Sequence, residues 1–272
     1  MKPASLVEAL DEAQFGGKAA SLARSLRAEL PVPPGFALSA VQVEAVFARD
    51  PAVLDTLRAE FTRLGGPCAV RSSAIGEDSD QASFAGQHVT ILNVRHEDSV
   101  ADAVLKVRDS AHTESARAYR RSLGLDESPR IGVVVQRMIE PDCAGVMFTR
   151  NPVNGADERV IEAAWGLGEA VVAGLVVPDN YAIDRKGRVL RCTPGTKDIA
   201  LRGAPEGGTV EEPVADDLVT SCCLTDAMLL RLHDLAGRCE AFFGAGLDIE
   251  WAFADDILYL LQCRPRQGQD LA

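Results

Sequence analysis

Between Ile131 and Ala164 three apolar, β-branched runs follow one another: Ile131 to Met138, Ala144 to Thr149 and Arg159 to Ala164, with only turn residues between them. Such runs read as strands. No helical segment separates them. The chain therefore departs from strict alternation of strand and helix, and the expected class is α+β rather than a doubly wound sheet.

The flanks supply the helices. Ala19, Leu22, Ala23, Leu26 and Leu30 recur at helical spacing after Gly16-Gly17-Lys18, until Pro31, Pro33 and Pro34 stop the pattern. Asp50-Pro51 reads as an N-cap with proline at the first helical position. The apolar stripe Val53, Leu54, Leu57, Phe61, Leu64 follows, and Gly65-Gly66 ends it. Cys68 to Arg71 reads as a short strand, Ser72 to Gly86 as a Gly/Ser/Asp-rich loop, Val89 to Val94 as a strand, and Glu97 to Leu123 as one long helix. Further on, Tyr181 to Arg191 predicts a hairpin around Lys186-Gly187, residues 203–213 a loop or linker, and Thr225 the cap of a helix to Phe243. The last two runs, Leu247 to Phe253 and Leu258 to Arg264, predict a hairpin around Asp255-Asp256.

Composition narrows the function classes. The chain has 272 residues, 47% hydrophobic and 25% charged, which are ordinary globular values with enough chain for a real core. The longest apolar run, Ala170 to Val177, is far short of the roughly 18 residues that span a bilayer. The N-terminus is acidic and lacks the apolar core of a secretory signal. A net charge of −12 makes general binding to nucleic acid or anionic membrane unfavourable. Seven cysteines contain no C-x-x-C pair, and the four histidines are widely spaced, so reduced thiols in a cytoplasm are expected rather than a disulfide framework or zinc site.

The common nucleotide fingerprints fail. Lys18 follows Gly17 but is followed by Ala19, so no P-loop is present; Gly166-Leu167-Gly168 begins a dinucleotide motif that Val171 breaks; and no G-x-S-x-G occurs. Five other features remain. Arg71-Ser72-Ser73-Ala74 ends a strand and enters a loop whose far side is Ser83-Phe84-Ala85-Gly86-Gln87-His88-Val89-Thr90. Amides and hydroxyls there can face phosphate oxygens while Arg71 offers a two-pronged cation. Lys18 adds a full charge at a helix N-terminus, which itself favours anions. Trp165-Gly166-Leu167-Gly168-Glu169, followed by Pro178-Asp179-Asn180-Tyr181, suggests close backbone approach at a strand end. Gln136 closes a strand and could read an adenine edge. Singly, each is also what a solvated loop, a plain helix start or a surface glutamine looks like.

The final hairpin is the fifth feature. Leu247, Ile249, Trp251 and Phe253 share one face of its first strand, and Asp248 and Glu250 share the other; Gln262 and Arg264 share a face of the second. A two-residue turn would oppose Glu250 to Leu261, whereas a three-residue loop or an equivalent bulge opposes Glu250 to Gln262 and Asp248 to Arg264. The latter register is expected. It groups carboxylate, amide and guanidinium as a magnesium nucleotide requires.

Taken in order, GGKAASL, VPPGF, AVRSSAIGEDSDQASFAGQHVTILNV, VVVQRMI, AGVMFTRNPV, WGLGEAVVAG with VPDNY, and DIEWAF with LYLLQCRP resemble the N-terminal ATP-binding domain of the phosphoenolpyruvate synthase and pyruvate phosphate dikinase family, which includes the rifampin phosphotransferases. The resemblance covers nearly the whole chain. It implies an ATP-grasp-like fold of two lobes with the nucleotide between them, expected at residues 1–178 and 179–272 and together forming one ATP-binding domain. It also implies ATP and Mg²⁺ as ligands. Lys18, Arg71 and Arg264 are then expected on the phosphates as catalytic groups, Gly86 and Thr90 along the phosphate loop, Gln136 at the base, and Glu250 and Gln262 on the metal.

Proteins of this family pass phosphoryl from ATP to a histidine on a mobile carrier domain, and a further domain acts on the final acceptor. His88, His96, His112 and His233 do not lie in the Thr-rich, Gly-Gly motif of that carrier. The expected function is thus an ATP-dependent phosphotransferase subunit of a split system, giving AMP and serving a histidine on a separate carrier protein. A kinase or ligase acting directly on a small molecule, and a non-catalytic nucleotide sensor, are the alternatives.

Overall fold

The structure, a computed structural model, describes residues 2–75, 89–122 and 130–265; side chains of Ser115, Tyr119, Arg120 and Ser122 are not among those described. The chain forms two compact units. The first comprises residues 1–27, 33–138 and 204–208, the second 28–32, 139–203 and 209–272. The change of unit at 138/139 differs from the boundary expected at 178/179. The strands Cys143–Phe148 and Arg159–Trp165 hydrogen bond, one through the other, to Leu247–Ala254, so they belong with the C-terminal sheet.

In the first unit, strands β1 (Ala4–Ser5), β2 (Gly35–Leu38), β3 (Cys68–Ala74), β4 (Thr90–Val94) and β5 (Ile131–Arg137) form an antiparallel sheet in the order β1-β2-β5-β3-β4. Its helices are α1 (Glu12–Phe15), α2 (Gly17–Arg27), α3 (Ala40–Phe47), α4 (Pro51–Leu64), α5 (Glu97–Ser110) and α6 (Glu114–Ser122). One face of the sheet, through Phe36, Leu38, Val70, Val133 and Val135, packs against Val43 and Val46 of α3, Leu57 and Phe61 of α4, and Val100, Val104 and Val107 of α5. Each such side chain contributes roughly 1.5–3 kcal/mol by leaving water. The predicted caps are in place: Asp50 Oδ1 accepts from the amides of Ala52 and Val53, with Pro51 at the first helical position.

Two expectations are corrected here. The helix predicted over 97–123 is two helices, because Thr113 starts a second one by accepting from the Ala116 amide. Ser72 and Ser73 are strand rather than loop, buried and paired with Val133 and Gly132.

In the second unit, β6 (Cys143–Phe148), β7 (Arg159–Trp165), β8 (Asp179–Ile183), β9 (Val189–Thr193), β12 (Leu247–Ala254) and β13 (Ile257–Pro265) form an antiparallel sheet in the order β13-β12-β6-β7-β8-β9. A separate hairpin pairs β10 (Ile199–Gly203) with β11 (Thr209–Pro213), where a loop or linker was expected. Every residue of β11 is exposed, so no apolar alternation marked it in the sequence. The helices are α7 (Glu169–Val172), α8 (Asp216–Val219) and α9 (Asp226–Phe243). Thr225 caps α9 by accepting from the Met228 amide. Leu229, Leu232, Leu235, Ala236 and Cys239 of α9 are buried, as are Leu247, Ile249, Trp251 and Phe253 of β12, against which the helix packs. Both units bear out the α+β class.

Candidate functional site

The candidate residues of the first unit gather on the sheet face opposite its core. Directly opposed residues in an antiparallel pair share a face. Arg71 is opposed to Thr90 on one side and to Val134 on the other, and Gln136 lies two residues beyond Val134. Arg71, Thr90 and Gln136 are therefore on one face, with Ser73 two residues along from Arg71. Arg71 is only 9% exposed, so its guanidinium is held in place by its surroundings.

Ser73 also brings in Lys18. The Ala19 amide, at the start of α2, donates to Ser73 Oγ at 2.9 Å. The backbone at Phe15 and Gly16 lies so close to the sheet that a Cβ on Gly16 would strike the Ser73 carbonyl, and one on Gly132 would strike the Phe15 carbonyl. Gly16 also has φ +83°, a conformation that favours glycine. Ser73, Gly16 and Gly132 are thus positioning residues; Ser73 and Gly16 lay inside motifs read from the sequence, though not in this role, and Gly132 was not singled out. The only signal for Gly132 was a small residue within an apolar strand run.

Gln136 is buried, and its Nε2 donates to the Pro33 carbonyl at 3.1 Å. One of its N–H groups thereby fastens the Pro33–Pro34 segment to β5. Gly86, with residues 76–88, lies outside the described residues.

In the second unit, Glu250 is opposed to Gln262 and Asp248 to Arg264, as expected. The turn itself has two residues, Asp255 and Asp256, both with φ near +50° to +60°, the conformation of a tight hairpin turn. A bulge between Glu250 and Trp251 then skips Leu261 and restores the register. The guanidinium of Arg264 donates from Nε and Nη2 to Asp248 Oδ2, at 3.0 and 2.8 Å. Asp248 thus fixes the orientation of Arg264.

The register continues across the sheet. Glu250 is opposed to Val146, Val146 to Glu162 and Glu162 to Asn180, so Asn180, Glu162, Glu250 and Gln262 stand in one partly exposed row. Glu162 was not singled out, although it is the one acidic residue of β7. The donor set suits a hard cation, since Glu250 and Gln262 both offer oxygen. No cluster of three or more His, Cys, Asp or Glu able to hold a metal occurs among the described residues. Two protein oxygens fit Mg²⁺, which usually shares its coordination with substrate phosphates and water.

On the opposite face of β8 from Asn180, Asp179 and Lys197 form a fully buried ion pair at 2.5 Å. Asp179 also accepts from the amides of Gly195 and Cys223, each at 2.8 Å. Burial alone would push the Asp179 carboxyl up, but Lys197 and the two amides outweigh it and hold it below the usual carboxylate range. Gly166, with φ +75°, makes the close approach expected of its motif, to the backbone of Leu201.

Comparison with known proteins gives these residues a context. Residues 51–271 match the family described as pyruvate phosphate dikinase, AMP/ATP-binding domain. A probable phosphoenolpyruvate synthase of Methanothermobacter thermautotrophicus is 35% identical over 92% of this chain and 43% of its own length. A rifampicin phosphotransferase of Streptomyces sviceus is also 35% identical, over 95% of this chain and 35% of its own. The chain thus spans less than half the length of these curated relatives. Among solved structures, a D-alanine–D-alanine ligase from Bacillus anthracis complexed with ATP aligns with 91% of this chain and 54% of its own, at a TM-score of 0.41 and 13% identity.

Proposed function

Because the chain belongs to the pyruvate phosphate dikinase AMP/ATP-binding domain family, we propose that it is an ATP-dependent phosphotransferase of ATP-grasp-like fold. In this reading it takes Mg-ATP and delivers phosphoryl to a histidine on a separate carrier protein, with AMP as product. Lys18 and Arg71 bind the phosphates, with Thr90 and Gly86 along the phosphate loop and Gln136 at the base. Glu250 and Gln262 hold the metal, and Arg264, steered by Asp248, offsets phosphate charge. Glu162 adds a carboxylate to the same row. Bound Mg²⁺ would neutralise charge on the phosphate oxygens.

Atom balance sets what must leave. For AMP to form, two phosphoryl groups depart: one stays on the carrier histidine and the other is released as inorganic phosphate, with water supplying the oxygen. Phosphoryl transfer asks of the protein mainly positioning and charge stabilisation. The observation that carries the proposal is the placing of Arg71 opposite Thr90, two residues from the serine that binds the start of the Lys18 helix. Arg71 fixed on the sheet and Lys18 at the start of the helix bound to it are suited to that task.

The test is the nucleotide product. The protein is incubated with Mg-ATP, with and without a histidine carrier domain, and ATP, ADP and AMP are resolved. AMP and acid-labile phosphohistidine only with the carrier are expected. ADP formed without carrier would favour a direct small-molecule kinase, and bound but unconverted ATP in both tubes would favour a sensor.

A further inference from the structure

All seven cysteines are free thiols, and six of them stand in sulfur-to-sulfur neighbourhoods. Cys223 hydrogen bonds to Cys143, and Cys263 to Cys239; these four are buried. The third pair differs. Cys192 on β9 is exposed, Cys222 just before α9 is half-buried, and their Sγ atoms are 2.9 Å apart. The two residues are 30 apart in sequence. A disulfide bond needs about 2.05 Å between sulfurs, so less than about 1 Å of approach separates this contact from a covalent link.

We infer that Cys192 and Cys222 form a reversible oxidation site, closing to a disulfide when the protein meets a hydroperoxide. One sulfur, as thiolate, attacks the peroxide O–O bond. It becomes a sulfenic acid and releases water, or an alcohol from an organic hydroperoxide. The second sulfur attacks the sulfenic sulfur, an S–S bond forms, and water leaves. The two thiols lose two electrons and two protons, and the peroxide is reduced. A thiol reductant reverses the change.

Access decides which pair reacts. The buried pairs are closed to peroxide, and the neighbouring sulfur together with burial pushes the Cys223 and Cys263 thiols up. The Cys192 thiol is also raised, to about 11, by partial burial and by the Cys222 sulfur. Cys192 is therefore mostly protonated at neutral pH, so the reaction draws on a small thiolate fraction and runs slowly. Its closure would tie the outer strand β9 to the segment leading into α9. The next residue in that segment, Cys223, donates its amide to Asp179. Oxidation thus locks the cover of the buried Asp179–Lys197 pair.

The test treats the reduced 272-residue protein with hydrogen peroxide, then counts alkylatable thiols by mass after denaturation and maps the digest. Two of the seven thiols should disappear, in a monomeric chain, with a reducible link between the peptides of Cys192 and Cys222. Cys192→Ser and Cys222→Ser should each abolish the link, and the second variant separates Cys222 from its neighbour Cys223. Seven alkylatable thiols after peroxide, a link that survives either serine variant, or a link between chains would overturn the inference.

Discussion

The two candidate faces are built in opposite ways. In the first unit, Lys18, Arg71, Thr90 and Gln136 come from four separate elements, and they meet only because the sheet order places β5 between β2 and β3 and because Gly16 and Gly132 let α1 and α2 lie against it. In the second unit, Asp248, Glu250, Gln262 and Arg264 all belong to one hairpin. A local pair can be altered at little cost to the fold, whereas a face assembled from distant segments carries structural weight as well as chemistry. The variants below divide along that line.

The largest expected effect is at Asp179, whose ion pair also joins distant segments. Asp179→Ala leaves Lys197 charged and buried, and should cost about 3–5 kcal/mol in urea unfolding. The same pair predicts the pH profile. Asp179 has a folded-state value below its ordinary one, so its contribution is present above the unfolded carboxylate range near pH 4 and is lost as pH falls through the folded value. Thermal midpoints measured from pH 7 downward should drop in that acidic window, and Asp179→Ala should flatten this part of the drop.

Gly16→Val comes next. Its Cβ meets the Ser73 carbonyl in a backbone conformation that disfavours side chains, and a loss of about 3 kcal/mol is expected on unfolding. Full stability would mean that α2 does not need this close approach. Arg71→Ala should weaken ATP by roughly 1.5–3 kcal/mol, on the order of 10- to 100-fold in Kd. Unchanged affinity in calorimetry would remove Arg71 from the phosphates.

The hairpin variants are the smallest in stability. Asp248→Ala frees the partly exposed Arg264 and should cost about 0.2–1 kcal/mol of folding. Glu250→Gln should leave the unfolding free energy within about 0.5 kcal/mol while raising the Mg²⁺ concentration needed for tight nucleotide binding. An unfolded Glu250→Gln protein would break the contrast between the two faces.

The same contrast explains what could be read from the sequence. The hairpin register was legible from alternation together with a three-residue loop or an equivalent bulge; the turn has two residues, and the bulge at Glu250/Trp251 restores the register. The caps Asp50 and Thr225 were equally local. Ser72 and Ser73 looked like loop because serine is usually exposed, but β5 pairs with them and the Ala19 amide satisfies the Ser73 hydroxyl. The link between Lys197 and Asp179 spans 18 residues and has no local signature. Glu162 became visible only when register carried the polar row through Val146.

Calorimetric titration of ATP into the protein, with Mg²⁺ and then with the metal chelated, tests the central claim most directly. The account predicts saturable binding that tightens with Mg²⁺, loses on the order of 10- to 100-fold in Arg71→Ala, and loses its metal dependence in Glu250→Gln. Absence of ATP binding, or binding indifferent to the metal and to both substitutions, would contradict it.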